Sequence, residues 1–460
     1  MVDFDELLAT ANDLLDERKK DEAGPALDAA LAAARTPGEQ ALVLNGIAFL
    51  HFLREEQDKM LEVLERSVGL AETHLHADPQ DSRGRLALAE ALFEQVQHKF
   101  SPDDVQSESV LLDRSLGSFL EATREAPRDR YDRQLRRVMA GTLSRKASNL
   151  CYDAPKEAVD CYMQLLDRFQ DVDDAILKRI CAYAAVRRGE ELGGLGRSDQ
   201  QIAAYDDIIV RYAGFKEHSM REVVLRALEG KLLAYREQED FEATLEACDE
   251  LLERFEGDTI YYATDAVART LIRKGDVLNK LGKMGPELAC YDRVVGTWAD
   301  SPDQTLRKHA AEALLAKAVA LNEADQAAAE MECYEELLRR YAEDEDKSVR
   351  SVAAQALVYM GYSLRAIAED AAEDTGVLEL DAEIACYDRA IDRYGDENWD
   401  STRRAVAAAL QHKGESLLET GRGAEAADCF DAVVERYARH NYDPVLDEIV
   451  QEARNLRKEC

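Results

Sequence analysis

The chain has 460 residues, of which 46% are hydrophobic and 33% are charged, so it can bury a sizeable core and is not compositionally disordered. Its formal net charge of −35 argues against nucleic acid or an anionic membrane surface as a partner, because both attract cationic surfaces. The composition leaves enzymes and protein-binding proteins equally open.

The chain begins with MVDFDELLATANDLLDERKK, which is acidic and has helical periodicity. A secretory signal would instead open with basic residues and continue with an apolar run, and no run approaches the roughly 20 apolar residues that span a bilayer. We therefore expect a protein of a bacterial-type cytoplasm. Residues 1–127 are predicted to form helices, either as degenerate repeats marked by Leu27, Leu64 and Phe119 or as a separate helical cap.

From residue 128 to residue 440 one short phrase recurs, as in CYDRAIDRY from Cys386 and CFDAVVERY from Cys429. Its aromatic position falls at a step of 43 residues, apart from a single step of 53, and is occupied by Tyr162, Tyr205, Cys248, Tyr291, Tyr334, Tyr387 and Phe430. A phrase at a fixed interval is typical of structural units that stack on one another. Residues 441–460, with DPVLDEIVQEARNLRKEC, are predicted to be a capping helix.

A small residue stands 16 positions before most of these aromatics, inside a second apolar-periodic segment: Gly189, Gly275, Ala318 and Gly414. Each unit is therefore predicted to contain two helices. Since a glycine within a helix costs about 1 kcal/mol relative to alanine, its recurrence predicts a close approach that the large aromatic fills.

The unit of Gly361 and Tyr387 carries ten extra residues, which we place at Ala372–Asp381 within the stretch EDAAEDTGVLELDAE. The acids and Gly376 of this stretch argue against a continuous helix. Insertions in such arrays typically emerge as loops on one face, so a surface loop is expected, either as a tolerated insertion or as a docking element.

Five of the nine cysteines occupy the same place in the phrase: Cys161, Cys290, Cys333, Cys386 and Cys429. Equivalent places in stacked units lie about one interhelical distance, or 10 Å, apart, which is too far for a disulfide. We expect free thiols that serve as small packing residues. No CxxC pair or nearby histidine cluster indicates a metal site, and His74 and His76 are expected at the surface.

The segment KGESLLETGRGAEAADCFDAVVERY, Lys413 to Tyr437, resembles a tetratricopeptide repeat. It has a glycine in its first helix, a glycine-containing turn, then Ala426 and an aromatic four residues later. The unit length of 43 departs from the usual ~34 of that family. The resemblance implies an all-α, right-handed α-solenoid of about ten antiparallel helix pairs, with first helices that are longer than usual.

The resemblance further implies a non-enzymatic scaffold or adaptor that binds a protein or peptide in its concave groove. The position after each marker glycine is expected to face this groove, which places Glu190, Asp276, Tyr362 and Glu415 there, and the position three residues before the marker is expected to do the same. A basic or amphipathic segment fits these acids, although they are also compatible with plain solvation. Tyr359 and Arg365 complete the candidate partner-binding residues.

Lys274, Lys317 and Lys413 precede the markers and are predicted to pair with the acids that follow the aromatics, Asp292, Glu335 and Asp431. No catalytic residues, cofactor site or metal ligands are predicted, because the chain contains no GxSxG, P-loop or HExxH motif. The alternative interpretation is a regulatory or sensor subunit of a larger defence or signalling complex whose catalytic activity is on another chain.

Overall fold

Every regular element that the structure describes is an α-helix, as expected from the sequence. The computed structural model describes residues 3–99, 110–116, 130–258, 260–375, 377–438 and 443–460. The chain divides into two compact units, Met1–Gln238 and Glu239–Cys460. The mark Phe119, Gly376 and the predicted boundaries at 127/128 and 440/441 lie outside the described residues.

The first unit contains ten named helices and a short helical stretch at residues 110–116. The helices are α1 Phe4–Asp16, α2 Lys20–Ala33, α3 Pro37–Leu53, α4 Gln57–Ala77, α5 Ser82–Lys99, α6 Arg130–Leu150, α7 Pro155–Phe169, α8 Ala175–Gly194, α9 Ser198–Tyr212 and α10 His218–Glu237. Along α1–α5 each helix packs on the next, and α1, α3 and α5 also pack in succession, as α6 and α8 do. This order favours degenerate repeats in residues 1–127, and that assignment stays a prediction.

The second unit contains four complete helix pairs, preceded by one helix and followed by one. Its helices are α11 Phe241–Phe255, α12 Tyr261–Lys280, α13 Met284–Trp298, α14 Gln304–Glu323, α15 Ala327–Tyr341, α16 Lys347–Thr375, α17 Asp381–Tyr394, α18 Asp400–Glu419, α19 Gly423–Tyr437 and α20 Pro444–Leu456. The amphipathic α20 buries Leu446, Val450 and Ala453 against α18 and α19, so it covers the end of the apolar core.

The helix lengths follow the repeat. The first helices α8, α10, α12, α14 and α18 each have 20 residues, which confirms the prediction of long first helices, and the second helices α7, α9, α11, α13, α15 and α19 each have 15. The turn between the first and the second helix of a pair contains one residue of positive φ. This residue is a glycine in three pairs, namely Gly196, Gly282 and Gly421. Glycine adopts this conformation without a steric penalty.

The predicted contact between glycine and aromatic is confirmed, and the aromatic ring itself makes the close approach. A Cβ added to Gly275 would lie 2.5 Å from Cε1 of Tyr291, and Gly361 stands in the same relation to Tyr387. Tyr205 is enclosed from two sides, by Gly189 and by Gly230. These rings are almost fully buried, so they hold the two helices of a pair at one fixed distance.

The predicted surface loop at Ala372–Asp381 is helical in its first part. Helix α16 continues to Thr375 and has 29 residues, so Ala372 to Thr375 extend this helix, whereas residues 377–380 are not helical and α17 begins at Asp381. The stretch is rich in alanine, the best helix former, and Arg365 binds Glu369 one turn later at 2.8 Å. These local preferences outweigh the acids of the segment.

The lysines before the marker positions pair with acids one repeat earlier than expected. Lys317 binds Asp292 at 2.6 Å and Lys413 binds Asp388 at 2.5 Å. Lys274 binds Asp249 in the same way, so all three predicted pairings, with Asp292, Glu335 and Asp431 in that order, are wrong; Asp431 binds Arg457 instead. These pairs connect neighbouring repeats, since each lysine lies on the first helix after the acid's own helix. Each is worth about 0–1 kcal/mol at a surface.

All nine cysteines are free thiols, as predicted. Seven of them are buried, and burial raises the pKa of each: Cys161, Cys181, Cys248, Cys290, Cys333, Cys386 and Cys429. A buried thiol with a raised pKa behaves as a small apolar packing group.

Candidate functional site

The second unit contains a cleft of about 430 Å³, which we call the α12–α16 cleft. Three consecutive first helices, α12, α14 and α16, form most of it, and residues of α13 and α18 complete the lining. The apolar part of the lining includes Val352 from α16 and four residues of α14, Leu315, Ala316, Val319 and Ala320. This volume is within the range of small ligand sites, and it accommodates a few side chains of a bound segment.

Three carboxyl groups meet at one end of this cleft, those of Asp276, Glu287 and Glu323. Asp276 accepts a hydrogen bond of 3.0 Å from the hydroxyl of Tyr291. Glu323 accepts one of 2.7 Å from the amide of Asn279. The side chain of Glu287 is 3% exposed, and its burial raises its pKa. A hydrogen bond from Asn279 opposes this shift, while the charges of Glu323 and Asp276 add to it.

Another carboxylate of the lining, on α14, is neutralised by the chain itself. Glu312 lies 2.7 Å from Lys308 and 3.0 Å from Nδ1 of His309. Burial opposes ionisation of Glu312, but these hydrogen bonds hold its pKa below the ordinary value. His309 also contacts Asp265 through Nε2 at 2.9 Å, and its pKa is raised, because the two carboxylates outweigh the effect of burial. Lys280, the second cation of the lining, lies 5.2 Å from the ring centre of Phe241.

Helix α16 carries two exposed tyrosines, and one of them lines the cleft. Tyr359 lines the cleft and is 42% exposed, and Tyr362 is 38% exposed. Their ring centres are 5.9 Å apart in an edge-to-face arrangement, and the ring of His412 meets Tyr362 at 4.9 Å. The rings therefore have little rotational freedom to lose on binding, which favours a role as anchors.

The remaining predicted residues of the second unit have partners within the chain. Arg365 binds Glu419 through two hydrogen bonds of 2.6 and 2.8 Å and also binds Glu369, so it links α16 to α18. Glu415 accepts hydrogen bonds from His412 and Gln411 at 2.9 and 3.0 Å. Burial opposes its ionisation, yet these two bonds lower its pKa.

Glu190 belongs to the first unit, where two arginines neutralise it. Arg187 is 2.5 Å from one carboxylate oxygen and Arg226 is 2.6 Å from the other. Its surroundings are thus more cationic than the sequence suggests.

The position three residues before each marker glycine or alanine does not uniformly face a groove. Val186 and Val358 are buried in the core, whereas Leu315 lines the cleft.

Glu287, Glu323 and Asn279 were not recognised in the sequence. For Glu287 the sequence does contain a signal, because Glu287, Glu330 and Glu383 each stand four residues before a buried tyrosine. Among the described residues, no group of three or more His, Cys, Asp or Glu side chains is arranged to hold a metal ion. In the same part of the chain, no helix combines the length and apolar character needed to cross a membrane.

No protein-family model and no curated protein matches the chain. Among solved structures, the chain is similar to the apo form of RapI, at 9% identity over 99% of this chain and 98% of that one, with a TM-score of 0.35. A human IFIT1 dimer with m7Gppp-AAAA matches at 12% identity over 99% and 89% of the two chains, with a TM-score of 0.35. A Rap protein complexed with competence and sporulation factor matches at 12% identity over 92% and 100%, with a TM-score of 0.32. These values assign the chain to no family and no function.

Proposed function

We propose that the protein is a non-enzymatic interaction scaffold or adaptor, and that a segment of a partner protein binds in the α12–α16 cleft. The observation that carries this proposal is the cleft itself, with the exposed edge-to-face pair Tyr359 and Tyr362 at its rim. Exposed aromatic side chains next to a concave apolar surface are typical of interaction hot spots.

The scaffold around the cleft is rigid, which favours a binding role. Gly275 and Gly361 fix the ring positions of Tyr291 and Tyr387, so α12 and α16 are held at constant distances from their second helices. A surface that is already formed loses little conformational entropy when a partner binds. The helices that line the cleft therefore present its shape before the partner arrives.

The extension of α16 supports the second candidate, a regulatory or sensor subunit of a larger complex. This helix exceeds the other long first helices by nine residues, and Ile367 and Glu369 to Ala371 on it are exposed. It supplies a surface outside the cleft, so two different chains can be contacted at once. A complex that retains one partner after the cleft is blocked would favour this candidate.

Blocking the cleft tests the proposal. Val319→Trp places a large ring on the apolar part of the lining, and Arg339→Trp places the same ring on the outer side of α15, where the arginine side chain is 69% exposed. The wild-type chain and both variants are each used to purify partners from the cells that naturally produce the protein, followed by mass spectrometry. Helical content is compared by circular dichroism.

We expect the wild type and Arg339→Trp to retain the same partner, and Val319→Trp to lose it while remaining folded. If Val319→Trp retained every partner as fully as the other two chains, the cleft would be ruled out as the binding site.

A further inference from the structure

One buried carboxyl group recurs in three consecutive repeats of the second unit. Glu287, Glu330 and Glu383 are 3%, 1% and 1% exposed, and each lies four residues before its buried tyrosine. Buried carboxyl groups are costly unless hydrogen-bond donors surround them. The hydrogen-bond donors around each of the three acids therefore determine how well its buried carboxyl group is stabilised.

In two of these repeats the next first helix supplies a serine. The hydroxyl of Ser363 donates to Glu330, and that of Ser416 donates to Glu383 at 2.9 Å. Each serine stands 33 positions after its acid in the chain. In these repeats the first helix of the following pair thus supplies a hydrogen-bond donor to the acid of the preceding pair.

In the repeat of Glu287 this donor is missing. The residue 33 positions later is Ala320, whose methyl group cannot donate a hydrogen bond. Ala320 lines the α12–α16 cleft, as Glu287 does, so the donorless side of the acid is the side on which the cleft lies. Within the described part of the chain, the amide of Asn279 donates to Glu287, and it also donates to Glu323.

The charge around this site is uncompensated as well. Neither Glu287 nor Glu323 forms an ion pair with any residue that the structure describes. Burial raises the pKa of Glu287, and the neighbouring charge of Glu323 adds to this shift. A perturbed acid in a cleft is a recognised indication of a functional site. A cation with several donors would satisfy both carboxylates at once.

Resting on the proposed function above, we propose that the α12–α16 cleft selects a lysine or arginine side chain of the bound segment. Its ammonium or guanidinium group binds Glu287 and Glu323 at the place that serine occupies in the two following repeats. Its aliphatic stem packs on Leu315 and Val319, and an adjacent apolar side chain of the segment contacts Tyr359.

Random peptides displayed on phage provide a probe that does not require the natural partner. Peptides are selected on the wild-type chain and counter-selected on Val319→Trp, so that only cleft-dependent binders remain. Each selected peptide is then synthesised with its basic residue and with glutamine in that position, and the affinities of both forms are measured. The variant Glu287→Gln/Glu323→Gln removes the two charges with little change of shape. Glu332→Gln/Glu335→Gln removes two exposed charges from α15 as the matched control.

We expect cleft-dependent peptides to be enriched in lysine or arginine, and replacement of that residue by glutamine to weaken binding to the wild type by about tenfold or more. In Glu287→Gln/Glu323→Gln this difference should disappear, and in Glu332→Gln/Glu335→Gln it should persist. Cleft-dependent peptides without basic residues, or a difference that survives in Glu287→Gln/Glu323→Gln, would overturn the basic-residue assignment and leave the binding function intact. If no peptide that binds the wild type remains after counter-selection on Val319→Trp, both proposals fail.

Discussion

Replacing glycine by alanine is expected to have opposite effects at two helical positions of the same repeat. At Gly296 in α13 an added Cβ meets no atom within 4 Å, so alanine should stabilise the chain by about 0.5–1 kcal/mol through its better helix propensity. At Gly275 in α12 the same Cβ would lie 2.5 Å from Cε1 and 2.7 Å from Cζ of Tyr291.

The contact at Gly275 should outweigh the gain in propensity. Overpacking of a core typically costs about 1–3 kcal/mol. The ring of Tyr291 is 2% exposed and its hydroxyl is held by Asp276, so it has little room to move. We therefore expect Gly275→Ala to destabilise the chain by a net amount of up to about 2 kcal/mol, after subtraction of the propensity term of about 1 kcal/mol.

Urea unfolding followed by tryptophan fluorescence measures this effect where it arises, because both tryptophans, Trp298 and Trp399, belong to the second unit. The unfolding midpoint should fall for Gly275→Ala and rise for Gly296→Ala. In a Tyr291→Ala background the clash is removed, so Gly275→Ala should become neutral or stabilising. The packing argument would be refuted if Gly275→Ala raised the midpoint of the otherwise wild-type chain as Gly296→Ala does.

Three further predictions concern thiols, pH and the first unit. A thiol reagent should label Cys151 and Cys460 without denaturant and leave the seven buried thiols unmodified, as peptide mass mapping would show; rapid labelling of all nine would contradict the packing described above. Burial raises the pKa of Glu383 above its ordinary value of 4.5, so the stability it contributes is complete below that value and is lost as the pH rises through the folded-state pKa. The urea midpoint of the wild type should therefore fall relative to that of Glu383→Gln as the pH is raised from about 4.5, and a constant difference would contradict this sign. Glu190→Lys should destabilise the first unit, because it places a third cation beside Arg187 and Arg226; hydrogen exchange of α8 and α10 that matches the wild type would show that the pairing contributes nothing.

The repeat and its packing could be predicted from the sequence because both depend on regular spacing. The step between Tyr291 and Tyr334, and the glycines before the aromatics, already specify two helices in close contact. The turn glycines Gly196 and Gly421 were also recognisable, since a positive φ favours that residue type. These features depend on residues within one pair of helices.

Features that depend on neighbouring repeats were predicted less well. The partner of Lys317 is Asp292 in the preceding repeat, and the sequence pattern alone does not specify which repeat supplies the acid. Glu287 lacks a serine donor because Ala320 stands where Ser363 and Ser416 stand in the following repeats, and this exchange changes no hydrophobic pattern. The helical first part of the insertion was missed because its acids received more weight than its alanines.

Photo-crosslinking from the cleft tests the central claim most directly. A photoreactive amino acid is placed at Val319 inside the cleft or at Arg339 on the outer side of α15, and the full chain is irradiated in the cells that naturally produce it. The account predicts one dominant adduct from Val319, formed through a segment of the partner that contains lysine or arginine, and no such adduct from Arg339. The same partner crosslinked equally from both positions, or from Arg339 alone, would contradict the claim that this protein binds its partner in the α12–α16 cleft.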